Sequence, residues 1–119
     1  MAESIKRISV EATKGTRNGS LARYDGAMPH MYILRCSDGS YYTGSTIDLD
    51  RRLAEHQQGA GAEYTKRRRP VSVVFAQWHE RVEDAFESEK RVQGWSRAKK
   101  EALMRGDLDA IRRLSMRPR

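Results

Sequence analysis

The chain has 119 residues, 38% hydrophobic and 33% charged, with a formal charge of +7 from 23 Lys and Arg against 16 Asp and Glu. That size and apolar content fit one small folded domain and exclude wholesale disorder, while the excess of cations points to a polyanion, nucleic acid before an anionic membrane. The single cysteine, Cys36, excludes an intrachain disulfide and a Cys-ligated zinc, no apolar run approaches the ~20 residues of a membrane span, and the start lacks a secretory apolar segment, so the expected setting is the cytoplasm, with no membrane partner.

Residues 1–29 show no sustained period and close on Met28-Pro29. They are read as a flexible, basic N-terminal extension, with the folded domain over 30–119. The first predicted strand is "HMYILRC", turned by "SDG" and followed by the returning strand "SYYTG". A two-residue Asp38-Gly39 loop would send Tyr32 and Tyr42 to opposite faces. A three-residue Ser37-Asp38-Gly39 loop instead sets Tyr42 opposite Leu34, with Tyr32 one diagonal step away on the same face. The longer loop is preferred because it puts glycine where positive φ is required.

"DLDRRLAEHQQG" predicts an amphipathic helix, capped by Thr46 or Asp48 and ended by Gly59. Leu49 and Leu53 are its buried positions, and Arg52 and His56 fall at i and i+4 on the flank of that stripe. "AGAEYTKRRRP" is read as a polar loop and "VSVVFAQW" as a third strand. A second helix spans roughly Val82 to Gly94, with an apolar face through Val82, Ala85, Phe86, position 89 and Val92. Position 89 is glutamate, and a carboxylate in that register needs a partner. Helices over Arg97 to Arg105 and Asp107 to Ser115, joined at Gly106, finish the chain. The order β-β-α-β-α-α is a small α+β sandwich.

Tyr32, Tyr42, Arg52, His56 and Glu89 are the residues whose chemistry stands out. Each has a structural reading: the tyrosines as core rings, Arg52 and Glu89 as an ion pair, His56 as a response to the helix dipole. Phosphodiester hydrolysis accounts for all five at once. It needs a base for water, stabilisation of charge on phosphoryl oxygens and relief for the leaving oxygen. A single Mg²⁺ or Mn²⁺ could be held by one carboxylate, Glu89, with water and phosphate completing its shell. Arg52 offers a planar fork to the non-bridging oxygens, and a tyrosine beside metal and arginine is expected to have a lowered pKa. Gly44, with Ser45 beside it, would admit a phosphate closely. "TKRRRP" supplies Lys66, Arg67, Arg68 and Arg69 as a phosphate-contacting edge, and Lys90 and Arg97 add charge around Trp95.

"MYI", a ten-residue spacing, "YTGS", "DLDRRLAEH" and a glutamate on the next helix resemble the GIY-YIG nuclease superfamily. "YILRCSDGSYYTG", "KRRRPV" and "GWSRAKKEAL" are similar to its small stand-alone UPF0213, or YhbQ-like, branch. "GAEYTKRRRP" also looks like the junction-cleaving branch. The resemblance runs from Met31 to Leu108. It implies a three-stranded antiparallel sheet flanked by helices, with Tyr32 as general base and Tyr42 orienting water or phosphate. It further implies Arg52 stabilising the transition state, His56 assisting with protons or phosphate, and Glu89 binding one divalent cation. The motifs depart from the name-giving pattern at His30-Met31 and at Thr43, none of which carries the chemistry.

The first functional reading is therefore a metal-dependent DNA endonuclease acting on branched, nicked or single-stranded forms, with a protein partner lending specificity. The alternative is a non-catalytic basic module that binds DNA or structured RNA. A third reading is an RNA- or ribosome-associated interaction protein.

Overall fold

The computed structural model describes residues 28–116, so most of the 1–29 extension falls outside the described residues, while the Met28 amide donates to Ile47 C=O and Pro29 C=O accepts from the His79 amide, joining these two residues to the fold. Its elements are β1 (His30–Arg35), β2 (Tyr41–Thr46), α1 (Leu49–Gln58), α2 (Glu63–Lys66), β3 (Ser72–Trp78), α3 (Val82–Gln93), α4 (Arg97–Arg105) and α5 (Leu108–Ser115). The strands form one antiparallel sheet in the order β2-β1-β3. This is the expected α+β class.

The hairpin follows the three-residue loop. Leu34 pairs with Tyr42 and Tyr32 with Gly44, while Gly39 takes φ +85° in the turn. Asp38 fixes that turn by accepting from the Ser40 amide at 3.0 Å. Both candidate caps of α1 are used. Asp48 accepts from the Arg51 amide at 3.1 Å, and Thr46 accepts from the Asp48 amide just before it. Gly59, left-handed at φ 83°, ends the helix. The Gln57 side chain then clasps the Val71 backbone at both N–H and C=O, tying the end of α1 to the start of β3.

The sheet is buried on both sides. Tyr32, Leu34, Cys36, Val73 and Ala76 form one cluster, over which Tyr42, Leu49 and Leu53 pack. Met31, Ile33, Val74 and Val92 form the other, joined by Tyr41, Phe75, Trp95, Leu103 and Met104. An irregularity opposite Ile33 and Leu34 leaves Val74 as an extra residue of β3, so the consecutive Val74 and Phe75 serve one cluster while Val73 and Ala76 serve the other. Each fully buried aliphatic side chain contributes about 1.5–3 kcal/mol.

Two expectations are corrected. The stretch predicted as loop contains the short helix α2, whose Lys66 amide donates to Ala62 C=O at 3.1 Å. The buried face of α3 is Ala85, Ser88 and Val92, whereas Val82 and Phe86 are each 50% exposed. Small side chains face the sheet because they let the helix lie close to β2, and that rotation moves Glu89 from the centre of the face to its edge.

Candidate active site

Tyr32 stands opposite Gly44 across the β1–β2 pair. Gly44 has no side chain, so the phenol ring lies over β2; a Cβ there would come within 2.6 Å of the Tyr32 hydroxyl. That hydroxyl reaches Nε2 of His56 at 2.9 Å. His56 is fully buried, and its Nδ1 lies 2.8 Å from Thr65 Oγ1. The Thr65 hydroxyl in turn donates to Ala62 C=O at 3.0 Å.

This chain of bonds fixes the tautomer. The one Thr65 proton is committed to Ala62, so Thr65 must accept from His56 Nδ1–H. Nε2 then carries the lone pair, and Tyr32 donates to it. The imidazole is held further by Gly61, where any Cβ would run into the ring. Tyr42 packs edge-on against the same imidazole, with centroids 5.4 Å apart.

Burial, and then the Arg52 charge, push the His56 pKa down to about 4. Burial also pushes the Tyr32 phenol up to about 12, against the opposing pull of Arg52. Tyr42 is raised as well, by burial first and by the Glu89 charge next. The proton between Tyr32 and His56 therefore rests on the tyrosine. The expectation of a lowered tyrosine pKa is not met by the chain's own charges, because burial of the ring outweighs one guanidinium.

Arg52 does not pair with Glu89. Its guanidinium is bonded to Glu55 on the same helix at 2.8 Å, a partner one turn away that needs no reach across the sheet. Glu89 accepts from Ser45 Oγ at 2.6 Å and from Gln93 Nε2 at 2.8 Å. Among the described residues no cation pairs with it, so its charge is held in place by neutral donors alone. No group of three His, Cys, Asp or Glu suited to a metal occurs among the described residues.

The remaining sequence candidates divide. Lys66, Arg67 and Arg69 line an open cleft of about 440 Å³ with Gln57 and Pro70, where α1 ends. Arg68 points elsewhere: it pairs with Asp38 at 3.0 Å and covers the ring of Tyr64, which stacks on Tyr42. Lys90 lies over the exposed Phe86 ring on α3. Arg97 is not brought to this group. It sits over Tyr41, whose ring joins the opposite cluster, and pairs with Glu101 at 3.2 Å.

Thr65, Gly61, Tyr64 and Gln93 join the site without having been singled out. A helical reading of "EYTK" would have found Tyr64 and Arg68 at i and i+4 and turned Thr65 inward. Reading that segment as a loop hid them.

A model of the GIY-YIG catalytic domain matches residues 28–102, more than half of the chain. A UPF0213 protein of Halobacterium salinarum is 47% identical over 76 residues, which span 64% of this chain and 99% of that one. A UPF0213 protein of Streptococcus pneumoniae is 42% identical over 80 residues, spanning 67% of this chain and 81% of that one. The solution NMR structure of a UPF0213 protein from Bacillus halodurans, 40% identical, covers 76% of this chain and 99% of its own with a TM-score of 0.45. With its sheet order, helices and matched domain, the chain belongs to the GIY-YIG family, as a small UPF0213-type member of that nuclease fold.

Proposed function

We propose that the chain is a divalent-metal-dependent endonuclease that hydrolyses phosphodiesters in DNA. The observation that carries this is the directed hydrogen-bond chain from Tyr32 through His56 to Thr65, set beside Arg52 and a Glu89 that no cation meets among the described residues. As water attacks phosphorus, it gives its proton to the Tyr32 oxygen. Tyr32 passes its own proton to the His56 lone pair in the same event, so no free phenolate has to form. The imidazolium that results keeps Nδ1–H on Thr65 and can return the proton afterwards. Arg52 must turn from Glu55 to the non-bridging oxygens, where its fork meets the charge that grows in the transition state.

A hard cation such as Mg²⁺ or Mn²⁺ fits a lone carboxylate held by neutral donors, and Glu89 is the residue that would bind it. When bound, it supplies charge neutralisation at the phosphate and the leaving oxygen. Lys66, Arg67 and Arg69 would hold the backbone of the strand alongside, with Lys90 on the α3 side. A protein of this composition, acting in the cytoplasm, would take its preference for branched, nicked or single-stranded DNA from these edges or from a partner.

Two observations favour a second reading, a basic module that binds nucleic acid without cutting it: Arg52 is paired with Glu55 and Tyr32 is 1% exposed. The experiment is incubation with labelled flap, junction, single-stranded and duplex DNA in Mg²⁺, Mn²⁺ or EDTA, beside Glu89→Ala. Metal-dependent products absent from the variant are expected. Retention of DNA or of structured RNA with no product in any metal would replace the nuclease by the binding module.

A further inference from the structure

Three planar groups are layered beside the site. Tyr42 stacks on Tyr64 with centroids 6.1 Å apart and planes 26° from parallel. The Arg68 guanidinium lies over the Tyr64 ring, 3.8 Å from its centroid. Arg68 is also pinned in its own plane: Nε donates to Asp38 at 3.0 Å and a terminal nitrogen donates to Tyr64 C=O at 2.9 Å. Even so, 34% of the side chain stays exposed. A cation meant to meet phosphate is usually free to swing. This one is held flat, and an ion pair with Asp38 already meets part of its charge.

A guanidinium fixed flat over an aromatic ring is a surface on which another flat group can stack. Nucleobases are flat, and every base offers a π-face whatever its sequence. From this layering we infer that Arg68, backed by Tyr64, is the seat of an unpaired base of the bound DNA strand, and that the stack ending at Tyr42 sets where that base lies relative to the phosphate to be cut. This replaces phosphate contact as the role of Arg68, and it takes its ligand from the nuclease reading above. A base in a duplex is already stacked on both sides and cannot occupy the seat, so it engages strands that are open at this position. The competing explanation is a clasp: Arg68 C=O also accepts from the Ser37 amide at 2.9 Å, so the same residue joins α2 to the hairpin turn.

The test is a coupling measurement made in EDTA, where cutting plays no part. Fluorescein-labelled single-stranded DNA, intact or with one abasic site moved along it, is titrated with wild type, Arg68→Lys and Arg68→Ala. The expected result is one position at which the abasic site weakens wild-type binding about tenfold. Arg68→Lys should bind the intact strand about tenfold more weakly and lose nothing further at that position. Arg68→Lys binding as wild type does would make Arg68 a simple charge and overturn the inference. Equal losses on intact and abasic strands would make it a clasp and overturn it too. Coupling seen only with RNA of the same sequence would overturn the assignment to DNA. Absence of metal-dependent products in the cleavage assay would remove the nuclease reading and leave this coupling to be judged by itself.

Discussion

Tyr41 and Tyr42 are neighbours on β2, point to opposite faces of the sheet, and each lies near an arginine and a glutamate. Around Tyr41 the group closes on itself. The phenol donates to Glu101 at 2.9 Å, Arg97 pairs with Glu101 at 3.2 Å and covers the ring, and Arg97 also donates to Gly39 C=O. On the Tyr42 side nothing closes in this way. Arg52 is drawn off by Glu55, Glu89 meets Ser45 and Gln93 but no cation among the described residues, and the Tyr32 hydroxyl gives its proton to a neutral imidazole. The same residue types make a fastening in one place and the candidate site in the other. What separates them is whether the arginine and the glutamate meet each other: Arg97 pairs with Glu101, whereas Arg52 pairs with Glu55 and leaves Glu89 with no cation among the described residues.

The sharpest way to break this comparison is to remove the two glutamates in turn. Glu89→Ala should lower metal-dependent cleavage by about a thousandfold or more, with the melting temperature nearly unchanged. Glu101→Ala should leave cleavage within about twofold and cost about 1 kcal/mol in urea unfolding, as a partly exposed bond and ion pair are lost. If Glu101→Ala also stopped cleavage, the division into fastening and site would be wrong.

The phenols give the next largest contrast. Tyr32→Phe should reduce the single-turnover rate by about a hundredfold. It also leaves His56 Nε2 buried without a donor, at about 1–3 kcal/mol of stability. Tyr41→Phe should leave the rate alone. Below that come two glycines. Gly61→Ala drives a methyl into the His56 ring and should cost about 1–3 kcal/mol together with much of the rate. Gly94→Ala meets nothing nearer than Arg91 C=O at 3.8 Å and should be close to neutral.

The last contrast is a matter of pH. The folded His56 pKa of about 4 lies below its unfolded value of about 6.5. Between those values the unfolded chain binds a proton that the folded chain refuses. Stability from this group should therefore be whole above about pH 6.5, fall as pH drops toward 4, and level off below it. Tyr32, raised to about 12, acts in the opposite direction: its contribution is whole below about pH 10 and is lost as pH climbs toward 12. Thermal melts of wild type and His56→Asn across pH 4–7 test the first limb. A wild-type slope no steeper than that of the variant would contradict it.

Much of this architecture is written in local chemistry. The Gly39 turn, the Asp48 cap, the Gly59 stop and the α4–α5 break at Gly106 are set within a few residues, and for that reason they are readable in the chain. The register placing Tyr32 and Tyr42 on one face follows from loop length alone. What escaped was set by contacts between distant segments. The expected stripe through Phe86 and position 89 and the observed one through Ser88 share Ala85 and Val92, and only the close approach of β2 selects the stripe with the smaller residue. The short α2 has too few residues to show a period, so Thr65 and its bond to His56 were hidden. Arg52 and Glu89 could be matched in the sequence, but Glu55, one helical turn from Arg52, took the guanidinium.

His56 joins α1, β1 and α2 through two hydrogen bonds made by one small ring. An assembly of this kind has no separate soft point at which its chemistry can fail first. Loosening α2 would expose the imidazole, undo the tautomer and strip Tyr32 of its acceptor in one motion. Loss of cleavage on heating should therefore track global unfolding instead of preceding it.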